Sequence, residues 1–317
     1  MTRAATLSAL GMTARTRWPS ADIAMVAARV ALSGTLLAAA MWLSSDEFAW
    51  RDLAAIGPGS IATCLLLSGV IVFTLAWRWR YIVATTTEAP TVPSMADFSA
   101  FTWVGLAVNQ LVPSVVGGDA VRITLLARWG IPASAAAGSV IVDRFYGVLG
   151  LLVVCLAAAP MLSTALFYPA MISSIVIVIA VIASGLLAWW TSRRSSIFQR
   201  LSTMVLTGIS WRSLLIMVPV AMAGHLANIA MFLVIAHALG AQAPILPTIS
   251  VLAAVLLASV LPFSIAGWGL REFALVNAFT HLGLDHDKIV LSSVAYGLFV
   301  LVTQAAGFLM ILRRKRT

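Results

Sequence analysis

The chain has 317 residues, of which 61% are hydrophobic and only 10% charged, with a mean hydropathy of +1.01. A soluble domain carries about 25% charged residues, and here one would have to expose apolar runs such as Ile172–Ala183 and Ser250–Val260, so a water-soluble globule is excluded. The formal net charge of +9 comes from arginines that flank apolar runs, which points to membrane topology and away from nucleic-acid binding.

The runs approach 20 residues without strict alternation, which excludes an outer-membrane barrel and predicts an all-α polytopic membrane protein. Residues 1–21 form a basic segment with Arg3, Arg15 and Arg17. A signal peptide has a shorter apolar core and a small-residue cleavage site, so Asp22–Leu43 reads as an uncleaved first helix. Further full spans are predicted at Gly57–Trp77, Ser134–Ala159, Pro169–Trp190, Ser213–Leu239 and Ile289–Leu312. Phe98–Val112 and Leu246–Leu261 are shorter, about 23 Å of helix each, and each runs into a Pro/Gly break followed by another short apolar stretch. They read as re-entrant hairpins, giving six full spans and two hairpins in a single transmembrane domain over residues 22–312, with a basic tail at 313–317. Cys64 and Cys155 both lie inside apolar spans, where core packing is their expected role.

The Lys/Arg distribution fixes the expected sides. One side holds Arg3, Arg15, Arg17, Arg78, Arg80, Arg193, Arg194, Arg200, Arg212, Arg313, Arg314, Lys315 and Arg316, and the other only Arg51 and Lys288. Both termini are therefore expected in the cytoplasm. Five arginines remain for the membrane. Of these Arg29, seven residues after Asp22, is expected to snorkel to the surface.

The two breaks are related. Leu111-Val-Pro-Ser-Val-Val-Gly-Gly-Asp-Ala-Val-Arg122 aligns without gaps to Val260-Leu-Pro-Phe-Ser-Ile-Ala-Gly-Trp-Gly-Leu-Arg271 at an offset of 149, with the prolines, Gly118/Gly267 and Arg122/Arg271 coinciding. The flanking spans follow roughly at the same offset. The halves, about 57–159 and 208–312 with helix 169–190 between them, therefore read as an inverted repeat, an architecture associated with alternating access.

Non-helical backbone at membrane depth persists only where it is buried in protein or lines a polar cavity. Pro113 and Pro262 end their helices, Gly117, Gly118, Gly267 and Gly269 permit turns and close approach, and a new helix N-terminus follows each break. With Arg122 and Arg271 and the hydroxyl of Ser114, these form two cationic, donor-rich corners suited to a phosphate or carboxylate. Alternatively the breaks are kinks whose arginines pair locally, Arg122 with Asp119 and Arg271 with Glu272. Asp143 and Arg144, about ten residues into their span, point about 100° apart. Asp143 either neutralises Arg122 or Arg128 across a helix interface or carries a proton.

His225 with Asn228, and Asn277 with His281, share helix faces and are expected to hydrogen-bond between helices. Asn109 and Gln110 are expected to cap loose backbone groups beside the first break. No phosphate loop, zinc motif or nucleophile elbow is present in the sequence, so neither an enzyme nor a cofactor is expected.

Asn109-Gln-Leu-Val-Pro-Ser-Val-Val-Gly-Gly-Asp-Ala-Val-Arg122, then Ser139-Val-Ile-Val-Asp-Arg144, then Leu261-Pro-Phe-Ser-Ile-Ala-Gly-Trp-Gly-Leu-Arg-Glu272 resemble the lysylphosphatidylglycerol synthase membrane-region family, also called flippase-like, over nearly the whole chain. The resemblance implies a multi-pass protein of the bacterial inner membrane that moves lipids between leaflets. It makes Pro113, Gly117, Gly118, Asp119, Arg122, Asp143, Arg144, Pro262, Gly267, Gly269, Arg271 and Glu272 the site candidates, with Asp119, Asp143, Arg144 and Glu272 as coupling or ion-pair residues. Trp268 stands where relatives commonly carry a glycine pair, and either narrows the site or packs. With no soluble domain after Arg316, the aminoacyl transfer of fused relatives is not expected. The leading expectation is a flippase or scramblase-like transporter of an anionic lipid, with lipid-biosynthesis enzymes as possible partners. The alternatives are an accessory or catalytic subunit of lipid glycosylation or hopanoid modification, and a small-anion secondary transporter.

Overall fold

A computed structural model describes residues 50–87, 91–111, 117–161, 207–258 and 285–307, and single positions 275, 278, 279 and 309. Among these residues there are seven α-helices and no strand. They are α1 (Pro58–Thr86), α2 (Met95–Leu111), α3 (Gly117–Arg128), α4 (Ala133–Ala158), α5 (Trp211–Ala238), α6 (Ile245–Ala258) and α7 (His286–Ala305). The predicted spans Asp22–Leu43 and Pro169–Trp190 lie outside the described residues, as do Asn277 and His281.

Local chemistry sets the helix ends. Pro58 opens α1, where its missing N–H costs nothing. Ser94 and Asp97 cap α2 reciprocally: the Ser94 N–H donates to the Asp97 carboxylate at 3.1 Å and the Asp97 N–H to Ser94 Oγ at 3.2 Å. Ser210 caps α5 by accepting from the Ser213 N–H, and Asp285 caps α7 by accepting from the Asp287 and Lys288 N–H groups. Gly130 and Gly240 adopt φ of 110° and 74°, ending α3 and α5 in the left-handed conformation that a side chain resists.

α1 departs most from expectation. It continues nine residues beyond Trp77, through Arg78 and Arg80, to Thr86. The physical reason is that these arginines have partners within the protein. Arg78 is buried, and Arg80 Nε donates to the Pro93 carbonyl. Arg78 therefore does not belong among the loop charges, although the remaining asymmetry is still one-sided.

The helices bury two main cores. One gathers Cys64, Leu151, Cys155, Phe232, Leu252, Phe279 and Tyr296 where α4, α5, α6 and α7 meet; both cysteines pack there as expected. The other holds Trp79, Phe98, Phe101, Leu126 and Ala136 between α1, α2, α3 and α4. Outward-facing apolar side chains are numerous, with Leu66 70% and Val302 69% exposed. α1, α4, α5 and α7 are long and apolar enough to cross a membrane, and an exposed apolar surface on such helices is stable only against lipid. The molecule is a multi-pass membrane protein.

Small residues let the long helices approach closely. A Cβ on Gly150 of α4 would lie 2.5 Å from the Ala221 Cβ of α5, whereas one on Gly69 of α1 would meet nothing within 4 Å. Gly150→Ala should therefore lower stability by about 1–3 kcal/mol through overpacking, while Gly69→Ala should leave it unchanged or slightly higher. Thermal unfolding of the purified protein in detergent reads both.

Candidate functional site

Among the described residues, the buried charged side chains Arg78, Arg122 and Asp143 converge where α1, α3 and α4 meet. Arg78 lies eight residues from the end of α1 and Asp143 ten from the start of α4, about 12 and 15 Å from those ends. Asp143 is 1% exposed. Each of its oxygens accepts from a different arginine: Oδ1 from Arg78 Nε at 2.6 Å, and Oδ2 from Arg122 Nη2 at 2.9 Å. An unpaired carboxylate at this position would carry an uncompensated desolvation cost of several kcal/mol, so α1 and α3 are tied to α4 through one side chain.

Arg122 is held on every side. Its guanidinium carbon sits 4.1 Å from the Trp79 ring centroid, a cation–π contact strengthened by exclusion of water. Trp79 is fixed in turn, its Nε1 donating to Ser139 Oγ at 3.0 Å, while the Ser139 hydroxyl donates to the Ala136 carbonyl at 2.8 Å. The aliphatic stem of Arg122 passes Gly105 of α2, where a Cβ would lie 2.9 Å from its Cγ. Arg122 Nη1 lies 3.6 Å from Asp119 Oδ1. Its buried Nε has no partner among the described residues.

The opposite carboxylate has a different setting. Asp119 accepts a two-pronged contact from Arg144, Nε to Oδ2 at 2.9 Å and Nη2 to Oδ1 at 3.0 Å. The Arg144 side chain is 52% exposed. The network thus contains three guanidiniums, Arg78, Arg122 and Arg144, and two carboxylates, Asp119 and Asp143. Among the described residues one positive charge is left over, and its most accessible carrier is Arg144.

These contacts refine the reading of the sequence. Asp143 pairs across helix interfaces, with Arg122 as expected and with Arg78 in place of Arg128. Asp143 and Arg144 do not pair with each other; they serve different partners. The local Asp119–Arg122 contact exists but is longer than the interhelical ones. At the start of α3, the Gly118 N–H donates to Asn109 Oδ1 at 2.7 Å. Asn109 therefore caps as expected, and this donor is spent within the protein, which corrects the expectation of a free N–H at that corner. Gly118 also packs against Gly105 so closely that a Cβ would strike the Gly105 carbonyl. Gln110 does not cap backbone; its Nε2 donates to Gln304 Oε1 at 3.0 Å. His225 Nε2 bonds the Gly147 carbonyl at 2.9 Å, and Asn228 accepts from the Tyr296 hydroxyl, so both make the interhelical bonds expected of them. Gly117 opens α3. Pro113, Ser114, Pro262, Gly267, Gly269, Arg271 and Glu272 lie outside the described residues.

Sequence reasoning missed Arg78, Trp79 and Ser139. The available signal was the apolar run Tyr81-Ile82-Val83 after Trp77-Arg78-Trp79-Arg80, which carries the helix inward past its arginines. Replacing Asp143 by Asn should destabilise the fold by about 3–5 kcal/mol, because two buried arginines lose their counter-charge. Arg144→Gln should cost at most about 1 kcal/mol, since that pair is half-exposed. Unfolding of the two variants beside the wild type measures the contrast.

Comparison with known proteins bears on this geometry. No curated protein matches the chain. The family described as the lysylphosphatidylglycerol synthase TM region matches residues 26–307, a range that contains the whole charged network and both Pro/Gly breaks. The chain belongs to this lipid-related membrane family.

Proposed function

We propose that the protein is a lipid transporter, flippase or scramblase-like, which moves an anionic lipid between leaflets. It does so without catalysing a covalent reaction. The observation that carries this reading is the imbalance of the network among the described residues: three arginines against two aspartates, with Arg144 half-exposed at its edge. A net positive charge set within membrane-spanning helices is costly to maintain unless an anion visits it. A phosphodiester supplies that anion, and arginine matches its oxygens with paired donors. Asp119 would exchange Arg144 with the incoming phosphate, so that entry costs one ion pair and gains another. In this reading Arg122 and the glycines Gly117 and Gly118 position the site from the start of α3, and Ser114 is a further candidate contact. Arg271, Gly267, Gly269 and Glu272, from the matching motif of the second half of the sequence, are the remaining candidate contacts.

The architecture in this reading is six spans and two re-entrant hairpins in an inverted repeat, in the bacterial inner membrane with both termini cytoplasmic. Two features support it. α2, α3 and α6 have 17, 12 and 14 residues, about 26, 18 and 21 Å, all short of a roughly 30 Å hydrocarbon core. The offset of 149 carries α1, α2 and α4 to 207–235, 244–260 and 282–307, close to the observed α5, α6 and α7.

Reconstitution into vesicles with a fluorescent anionic phospholipid and a membrane-impermeant quencher tests the function. Wild-type protein should expose the inner-leaflet label, and Arg144→Gln and Arg271→Gln should each slow this by about tenfold or more, the worth of one charge-assisted hydrogen bond. Full-rate movement by a folded double variant would remove the anion site. No movement by the wild type would remove the transport reading.

A further inference from the structure

A second polar region lies apart from the charges, where α1, α2, α5 and α7 meet. It is a partly open cavity of ≈ 30 Å³ lined by Ser68, Trp103, Asn228, Thr303 and Gln304 among apolar neighbours. Among the described residues no ionisable side chain lines it. Ser68 is ten residues from Arg78 on the same helix, about 15 Å along the axis and near mid-helix. A cavity of this size admits about two water-sized groups.

The hydrogen-bond inventory of its wall is specific. Asn228 Oδ1 accepts from the Tyr296 hydroxyl and Gln304 Oε1 accepts from Gln110 Nε2. The amide oxygens are therefore engaged, while the amide N–H groups of Asn228 and Gln304 have no partner among the described residues. The Thr303 hydroxyl donates to the Phe299 carbonyl at 2.8 Å, and the Ser68 hydroxyl points its donor weakly at Met231 Sδ, 3.8 Å away. Both hydroxyl oxygens keep accepting lone pairs. The Trp103 indole N–H is spent on the Thr303 carbonyl at 2.8 Å. The wall thus offers donors and acceptors together. Phosphate and carboxylate only accept and an ammonium only donates, whereas a hydroxyl group does both.

We propose that this cavity is a neutral binding station for a hydroxyl-bearing arm of a lipid headgroup. The proposal rests on the transporter reading for how the ligand arrives, and deepens it by naming a headgroup chemistry. The separation of about 15 Å from the Arg78 layer is far longer than a small headgroup. Charged network and neutral station are therefore occupied in succession: the phosphate is held first by arginine, and the hydroxyl later by the amides near mid-helix. α2 joins the two, one face carrying Gly105 against Arg122 and the other Trp103 and Gln110 against α7.

Two anionic lipids of the same charge test this: short-chain phosphatidylglycerol, whose headgroup carries two free hydroxyls, and short-chain phosphatidylethanol, whose shorter headgroup carries none. Each is titrated into the purified full-length protein in detergent, and thermal stabilisation is followed. Phosphatidylglycerol should reach half-maximal effect at about tenfold lower concentration. In the double variant Ser68→Ala/Thr303→Val the preference should shrink below about threefold, with the phosphatidylethanol midpoint unmoved. Equal midpoints in the wild type would overturn the proposal, and so would a preference that survives in the folded double variant. The wild-type comparison stands whether or not the variant folds. Vesicle transport of the same two lipids separates the two ideas: discriminating binding without movement keeps the station and removes the transport reading.

Discussion

One buried carboxylate organises the first half of this protein. Asp143 sits almost wholly out of solvent with a different arginine on each oxygen, and among the described residues neither arginine has another carboxylate as close. α1 brings Arg78 to it one residue past the predicted span, and the apolar run Tyr81-Ile82-Val83 carries the helix on to Thr86. α3 must bring Arg122, which is why its N-terminus packs on α2 through glycines at 105 and 118. Trp79 and Ser139 then complete the shell.

The same requirement leaves a surplus. Among the described residues two aspartates are satisfied by two arginines, and the third arginine is held at the edge by a carboxylate it shares with Arg122. Deep and edge sites differ in kind. The Arg78–Asp143–Arg122 contacts are closed and structural, whereas the Arg144–Asp119 contact is exposed and exchangeable. Function in the proposed reading belongs to the second and depends on the first for its position. The neutral cavity around Ser68 and Gln304 adds a region where polarity is supplied without charge.

Much of this arrangement was legible in the sequence. Low charge and long apolar runs mark a multi-pass helical protein, and the helices predicted with bounds begin within a few residues of the described ones, although α1 runs past its predicted end and α7 is described only to Ala305. Asn109 as a cap, Asp143 as an interhelical partner of Arg122, and His225 and Asn228 as interhelical hydrogen-bonders follow from the rule that buried polar groups seek partners. Arg78 escaped because an arginine at the end of an apolar run looks like a topology signal; only the position of Asp143 on another helix reveals its role. The pairing of Gln110 with Gln304, and the cavity beside it, depend on contacts almost 200 residues apart in the chain, which no local pattern encodes.

The central claim is that the surplus arginine meets a lipid phosphate, and nuclear dipolar coupling reads that contact directly. Protein carrying ¹⁵N-labelled guanidiniums is reconstituted with an anionic phospholipid, and ³¹P–¹⁵N dephasing is compared between the wild type and Arg144→Gln. The account predicts a close phosphorus–nitrogen contact that disappears in the variant. Identical dephasing in the two proteins would contradict it, leaving Arg144 a structural partner of Asp119 alone.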